Sequence, residues 1–278
     1  MALRELEKDE VFACISGLIK SAGQIDESYK QETITWYCES VCRMAEAAEM
    51  MGINGNIWQS WITMLFAKFE TTFSLAQERR KELSGTLSRL VKEDIETIRF
   101  YFNFDLNLID EDLEVSAFGR YGDYKPLKLE NGALDRSSGH IVREFADALR
   151  KSADTDDFYK KILEFHYKHG SGQFALNKAF RWDGKRGELI PVTHTEEISL
   201  DGLVGYDEQK KILVDNTVAF LEGRPANNVL LYGESGTGKS STVKALLNQF
   251  APEGLRMVEF YKHQIEDLET IVDLIKNR

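Results

Sequence analysis

The chain has 278 residues, 42% of them hydrophobic and 29% charged, which suits a globular protein with room for two domains, each with its own core. A formal net charge of -11 argues against a dominant non-specific nucleic-acid surface and against broad adhesion to membranes. Residues 1–10 lack the apolar core of a signal peptide, and the longest apolar run, near 61–66, is too short to cross a bilayer, so the expected location is cytoplasmic.

Residues 5–113 read as helix after helix. Val11, Ile15, Leu18 and Ile19 recur at three- and four-residue intervals, as do Ile34, Tyr37, Cys38, Val41 and Met44. The three cysteines, Cys14, Cys38 and Cys42, have no paired spacing; they read as thiols of a reducing compartment rather than as metal ligands. After a break at 52–55, helix resumes through Trp58, Trp61, Phe66 and Phe69, an aromatic stripe expected to be core, and again from about Leu83 through Ile95 and Phe102. The stretch Leu106 to Glu111 resembles an apolar strand ending in acid, but Asn107 interrupts it, and a solvated turn after a helix is the expectation.

Residues 118–136 are rich in Gly, Tyr and Pro and read as a loop. Helix returns at Ile141, Val142, Phe145 and Leu149, and again from a cap at Thr155 to a stop at Gly170. The period then changes to two: 179–182 and 188–192 flank a Gly-containing turn and predict a hairpin, with Pro191 making its second strand an edge. The five histidines, His140, His166, His169, His194 and His263, form no motif and read as structural or exposed. The division expected is a helical region over 1–172, a hairpin connector over 173–198, and a third part over 199–278.

The last part carries the motif. An apolar run, Asn228 to Tyr232, predicts a buried strand; Gly233, Glu234, Ser235, Gly236, Thr237, Gly238, Lys239 and Ser240 follow, then apolar residues at helical spacing. These eight fit G-x-x-x-x-G-K-[ST], the Walker A phosphate loop, in the strand-loop-helix context that it requires. Glycines let consecutive N–H groups converge on a phosphate, and the helix start adds its unpaired donors. Lys239 would reach the β- and γ-phosphates of a nucleotide and the Ser240 hydroxyl would hold Mg²⁺, with Ser241 a reserve hydroxyl beside it. The competing reading is a structural Gly-rich turn with a solvated lysine. A second strand at 255–261 and a helix at 264–275 are expected beyond it.

Leu203-Val204-Gly205-Tyr206 ahead of a helix, then strand and phosphate loop, resembles the AAA+ class of ATP-binding proteins. Lys178 to Trp182, Leu203 to Lys210 and Arg224 to Gly233 resemble, more closely, an uncharacterised bacterial AAA-type ATP-binding family filed as a domain of unknown function. The resemblance spans about 174–261 and is loose before that. It implies a fold in which a helical region and a small hairpin precede the first part of an α/β P-loop domain. It also implies ATP with Mg²⁺ as cofactors, an adenine pocket lined by Val204, Gly205 and Tyr206, and possible homo-oligomers. The acidic strand, polar sensor and arginine finger of that class would all follow the second helix, so the chain is expected to be a fragment that binds better than it cuts. The strands at 229–232 and 257–260, not neighbours in the AAA+ sheet, would then have open edges or pair irregularly. The functional expectation is nucleotide binding, with ATP hydrolysis in the full-length form. The alternatives are a regulatory binding module with negligible turnover and, less in keeping with Val204-Gly205-Tyr206, a P-loop kinase.

Overall fold

The computed structural model describes residues 2–23, 28–79, 85–127, 137–192 and 196–276. The chain divides into two compact units between Leu176 and Asn177. The expected helix start at Leu83, the end of the 118–136 loop and His194 lie outside the described residues, as does the side chain of His140.

The first unit is helical: α1 (Ala2–Leu6), α2 (Glu10–Lys20), α3 (Lys30–Met51), α4 (Ile57–Lys68), α5 (Thr72–Arg79), α6 (Thr86–Phe102), α7 (Asn107–Leu113), α8 (Phe118–Tyr121), α9 (Ser137–Arg150), α10 (Thr155–His169) and α11 (Gln173–Leu176). A two-residue ladder pairs β1 (Gly55–Asn56) with β2 (Asp123–Tyr124). Helix boundaries follow local chemistry. Asp9 caps α2 by accepting from Phe12 N at 2.9 Å, and the same oxygen accepts from Trp61 Nε1 at 2.9 Å, so one carboxylate starts α2 and ties it to α4. Gly52 ends α3 with φ of 63°, a conformation glycine adopts without steric cost.

The aromatic stripe is core. Trp58 is fully buried, stacks on Phe12 at 5.7 Å between ring centroids, and donates Nε1–H to the Tyr101 carbonyl at 2.7 Å. Phe66 is buried, while Trp61 and Phe69 are half-buried and packed against the same cluster.

Three expectations in this unit are corrected, the first being the loop read from 118, whose described part carries α8 and β2. The cap of α10 is Asp154, whose carboxylate accepts from Asp157 N at 2.8 Å, and Thr155 is the first helical residue. The 106–111 stretch is neither strand nor solvated turn. It enters α7, and Asp110 is buried, accepting from the Tyr37 hydroxyl at 2.9 Å and from the backbone N–H groups of Ala117, Phe118 and Gly119. A buried carboxylate is tolerated when donors surround it, and here they organise the chain entering α8.

The second unit contains β3 (Ala179–Asp183), β4 (Glu188–Pro191), α12 (Asp207–Leu221), α13 (Lys239–Phe250), β5 (Met257–Glu259) and α14 (Leu268–Ile275), with 3₁₀ turns at Ala251–Glu253 and Lys262–Asp267. β3 and β4 form the expected hairpin, Phe180 opposite Pro191 and Trp182 opposite Leu189, and β4 lies at the sheet edge as Pro191 requires. β5 joins the other side of β3 in parallel register, Phe180 opposite Val258. The 173–198 segment thus supplies α11 to the first unit and both hairpin strands to this sheet. Trp182 Nε1 donates to Asp267 at 2.8 Å, fastening the 262–267 turn to β3. Small apolar clusters hold the unit: Ala179 with Leu247 and Ala251, and Leu213 with Leu246 and Phe250.

The expected buried strand at 228–232 is overturned. These residues form no strand, and Leu230 and Tyr232 are 83% and 88% exposed. Only Leu231 packs inward, against the cluster of α12 and α13. Among the described residues no strand pairs with this segment, so its apolar run has no sheet to enter. β5 pairs instead with the hairpin. The α-helix expected from 264 begins at Leu268, after the 3₁₀ turn. The chain as a whole is mostly helical with small sheets, an arrangement compatible with an α/β AAA-like domain in its second unit.

Candidate phosphate-binding site

The 233–240 loop leads directly into α13. Gly233, Gly236 and Gly238 have φ of 143°, 83° and 80°, and Gly238 is the residue before the first helical turn. A Cβ on Gly236 or Gly238 would meet nothing within 4 Å, so the backbone conformation itself, not crowding by neighbours, calls for glycine there.

Lys239 folds back over its own loop. Its ammonium donates to the carbonyls of Gly233, at 3.1 Å, and Glu234, and to Thr237 Oγ1 at 3.2 Å. Thr237 in turn donates to the Glu234 carbonyl at 2.9 Å, closing the loop into a ring. Thr242 holds the helix start by donating Oγ1–H and N–H to the Gly238 carbonyl at 2.9 and 2.8 Å.

The backbone donors face a different situation. Among the described residues, none of the N–H groups from Glu234 to Ser241 donates to a protein acceptor. Successive unclaimed N–H groups at a helix start, with a lysine ammonium beside them, are the donor set that a polyphosphate needs. Ser240 is exposed in the first helical turn with Ser241 half-buried beside it, and an exposed hydroxyl there suits a hard, oxygen-seeking cation such as Mg²⁺. Ser235 and Glu234 are exposed on the loop.

The expected adenine element lies ahead of α12. Gly205 and Tyr206 both have left-handed φ, 82° and 58°, and Tyr206 immediately precedes the helix. Val204 is 96% exposed and Tyr206 is also exposed. Among the described residues no hydrogen bond joins 204–206 to the 233–240 loop. Both segments instead reach the α12–α13 cluster, through Leu200 and Leu231. Two polar residues on α12, which no motif singles out, touch the chain next to each. Lys210 Nζ donates to the Leu203 carbonyl at 2.7 Å, and the Asn216 amide makes a reciprocal pair with the backbone of Asn227, at 2.9 and 2.8 Å.

Residues 175–278 match a family described as "Protein of unknown function (DUF815)". The chain is also 37% identical over 75 residues to "Replication factor C large subunit" of Aeropyrum pernix, an alignment covering 26% of this chain. The chain spans only 16% of the length of that relative. No solved structure matches. Among the described residues no helix is long and apolar enough to cross a membrane.

Proposed function

We propose that the second unit binds ATP with Mg²⁺ through Gly233, Glu234, Ser235, Gly236, Thr237, Gly238, Lys239, Ser240 and Ser241, in the manner of an AAA+-type nucleotide-binding protein. The observation that carries this reading is the row of unclaimed N–H groups from 234 to 241 running into α13. The similarity to a replication factor C large subunit supports an AAA+-type relationship, and the resemblance of the Val204-Gly205-Tyr206 sequence to the AAA+ class supports adenine as the base. Lys239 leaves the loop carbonyls for the β- and γ-phosphates, exchanging neutral acceptors for charged ones, which form the stronger hydrogen bonds. Ser240 holds the metal, which when bound neutralises phosphate charge as a Lewis acid.

The leading reading is that binding is succeeded by hydrolysis, and assembly of copies around the nucleotide is proposed with it. A second reading, a nucleotide-dependent regulatory module, is favoured by one feature: among the described residues every side-chain hydrogen bond of the loop closes within the loop or its helix. Thermal unfolding with and without MgATP, alongside phosphate release, tests both. A ligand at about a hundredfold its dissociation constant adds ~2.7 kcal/mol to stability. That gain should appear in the wild type and vanish in Lys239→Ala; equal behaviour of the two would refute the site. Phosphate release separates hydrolysis from binding alone.

A further inference from the structure

The geometry points to α12 as a two-armed clamp that sets the spacing of the nucleotide site, with Lys210 positioning the base-contacting element and Asn216 positioning the phosphate loop. This rests on the nucleotide-binding reading and names residues that the phosphate-loop motif does not contain. The two arms are built alike, each from one polar side chain of α12 and one leucine packed on the α12–α13 cluster.

The first arm holds the chain ahead of Val204. Lys210 Nζ donates to the Leu203 carbonyl at 2.7 Å and reaches the Leu200 carbonyl at 3.5 Å, while its charge is balanced by Asp207 at 3.0 Å. The Leu200 side chain packs on the α12–α13 cluster. Val204, Gly205 and Tyr206 project from this anchored turn with exposed surfaces.

The second arm holds the chain ahead of Gly233. Asn216 Nδ2 donates to the Asn227 carbonyl at 2.9 Å, and Asn216 Oδ1 accepts from Asn227 N at 2.8 Å, as a neighbouring strand would. No strand does so here. Among the described residues, this pair is the one hydrogen-bonded tie on the backbone of 225–232. Asn216 and Asn227 also line an open cavity of about 490 Å³ with Phe220, Leu247 and Val258. Leu231 is the segment's apolar anchor. The direction from which the loop meets α13 therefore depends on the Asn216 amide together with the Leu231 anchor.

Because the arms hold different segments, removing them should have different effects on binding. Loss of Asn216 loosens the loop whatever base the ligand carries. Loss of Lys210 loosens base selection and spares the grip on phosphate.

The test is calorimetric titration of the full chain with MgATP, MgGTP and magnesium tripolyphosphate, for wild type, Lys239→Ala, Asn216→Ala, Asn216→Asp and Lys210→Met, with the unfolding temperature of each unliganded protein. Asn216→Ala should weaken MgATP and tripolyphosphate by the same factor, about five- to tenfold for two lost hydrogen bonds, leaving the ATP-to-GTP ratio unchanged. Asn216→Asp keeps the acceptor for Asn227 N–H and should fall between. Lys210→Met should bring the ATP-to-GTP ratio towards one with tripolyphosphate affinity unchanged. If Asn216→Ala lowers the unfolding temperature but binds all three ligands like the wild type, Asn216 is structural only and the clamp is refuted. It is refuted equally if both α12 variants weaken every ligand alike. A wild type that binds none of the three, or a Lys239→Ala protein that binds as well as the wild type, would overturn the nucleotide reading and the clamp with it, a pattern distinct from failure of the clamp alone.

Discussion

Acid should loosen the first unit through one histidine. His166 is buried in α10, edge-on to Phe73 and Phe165, with Nδ1 3.2 Å from the Gly170 carbonyl. Burial pulls its pKa from 6.5 down to about 4, against the smaller opposing effect of that carbonyl. The folded state therefore resists a proton that the unfolded state accepts. Above pH 6.5 both states are neutral and the histidine imposes no penalty. As pH falls below 6.5 the unfolded chain gains the proton first, and stability declines by about 1.4 kcal/mol per pH unit until the folded form also titrates near pH 4. Over that window the loss amounts to about 3 kcal/mol. Urea unfolding between pH 7.5 and 4, followed by fluorescence in a Trp182→Phe background, reads the first unit, because Trp36, Trp58 and Trp61 all belong to it. His166→Gln should remove one proton's worth of slope from that window. Parallel slopes for the two proteins would show that His166 is protonated in the folded state and that the reasoning from burial is wrong.

Asp110→Ala should destabilise the same unit by about 3 kcal/mol, since it leaves the Tyr37 hydroxyl and three backbone N–H groups facing a lost acceptor; Tyr37→Phe should cost less, and chemical denaturation compares them. Gly238→Ala should cost about 1–2 kcal/mol from its left-handed backbone alone, since the added Cβ meets open space, and Gly238→Asn less, because asparagine tolerates that conformation; an equal penalty for both would argue for a steric cause instead. Trp182→Phe should loosen the 262–267 turn from β3 by about 1 kcal/mol, although Gln264 Nε2 still donates to the residue-182 carbonyl, seen as faster amide exchange from Lys262 to Asp267.

Local chemistry that needs only near neighbours could be read from the sequence. The apolar spacing of Val11, Ile15 and Ile19, the stop at Gly52, the hairpin around 183–187 and the glycine pattern of 233–238 depend on helical period, backbone freedom and turn geometry, which the chain carries within a few residues. Tertiary structure decided whatever depends on a distant partner. The apolar run at 228–232 has the composition of a buried strand, but a strand forms only where another edge accepts its hydrogen bonds, and β5 joins β3 instead. Asp110 has the sequence surroundings of a solvated acid, and only the donors from Tyr37 and the 117–119 backbone enclose it. Lys210 and Asn216 carry no motif, because a helix surface shows polar residues without showing which chain lies against them. Their tie to Leu203 and Asn227 exists only once α12 is packed.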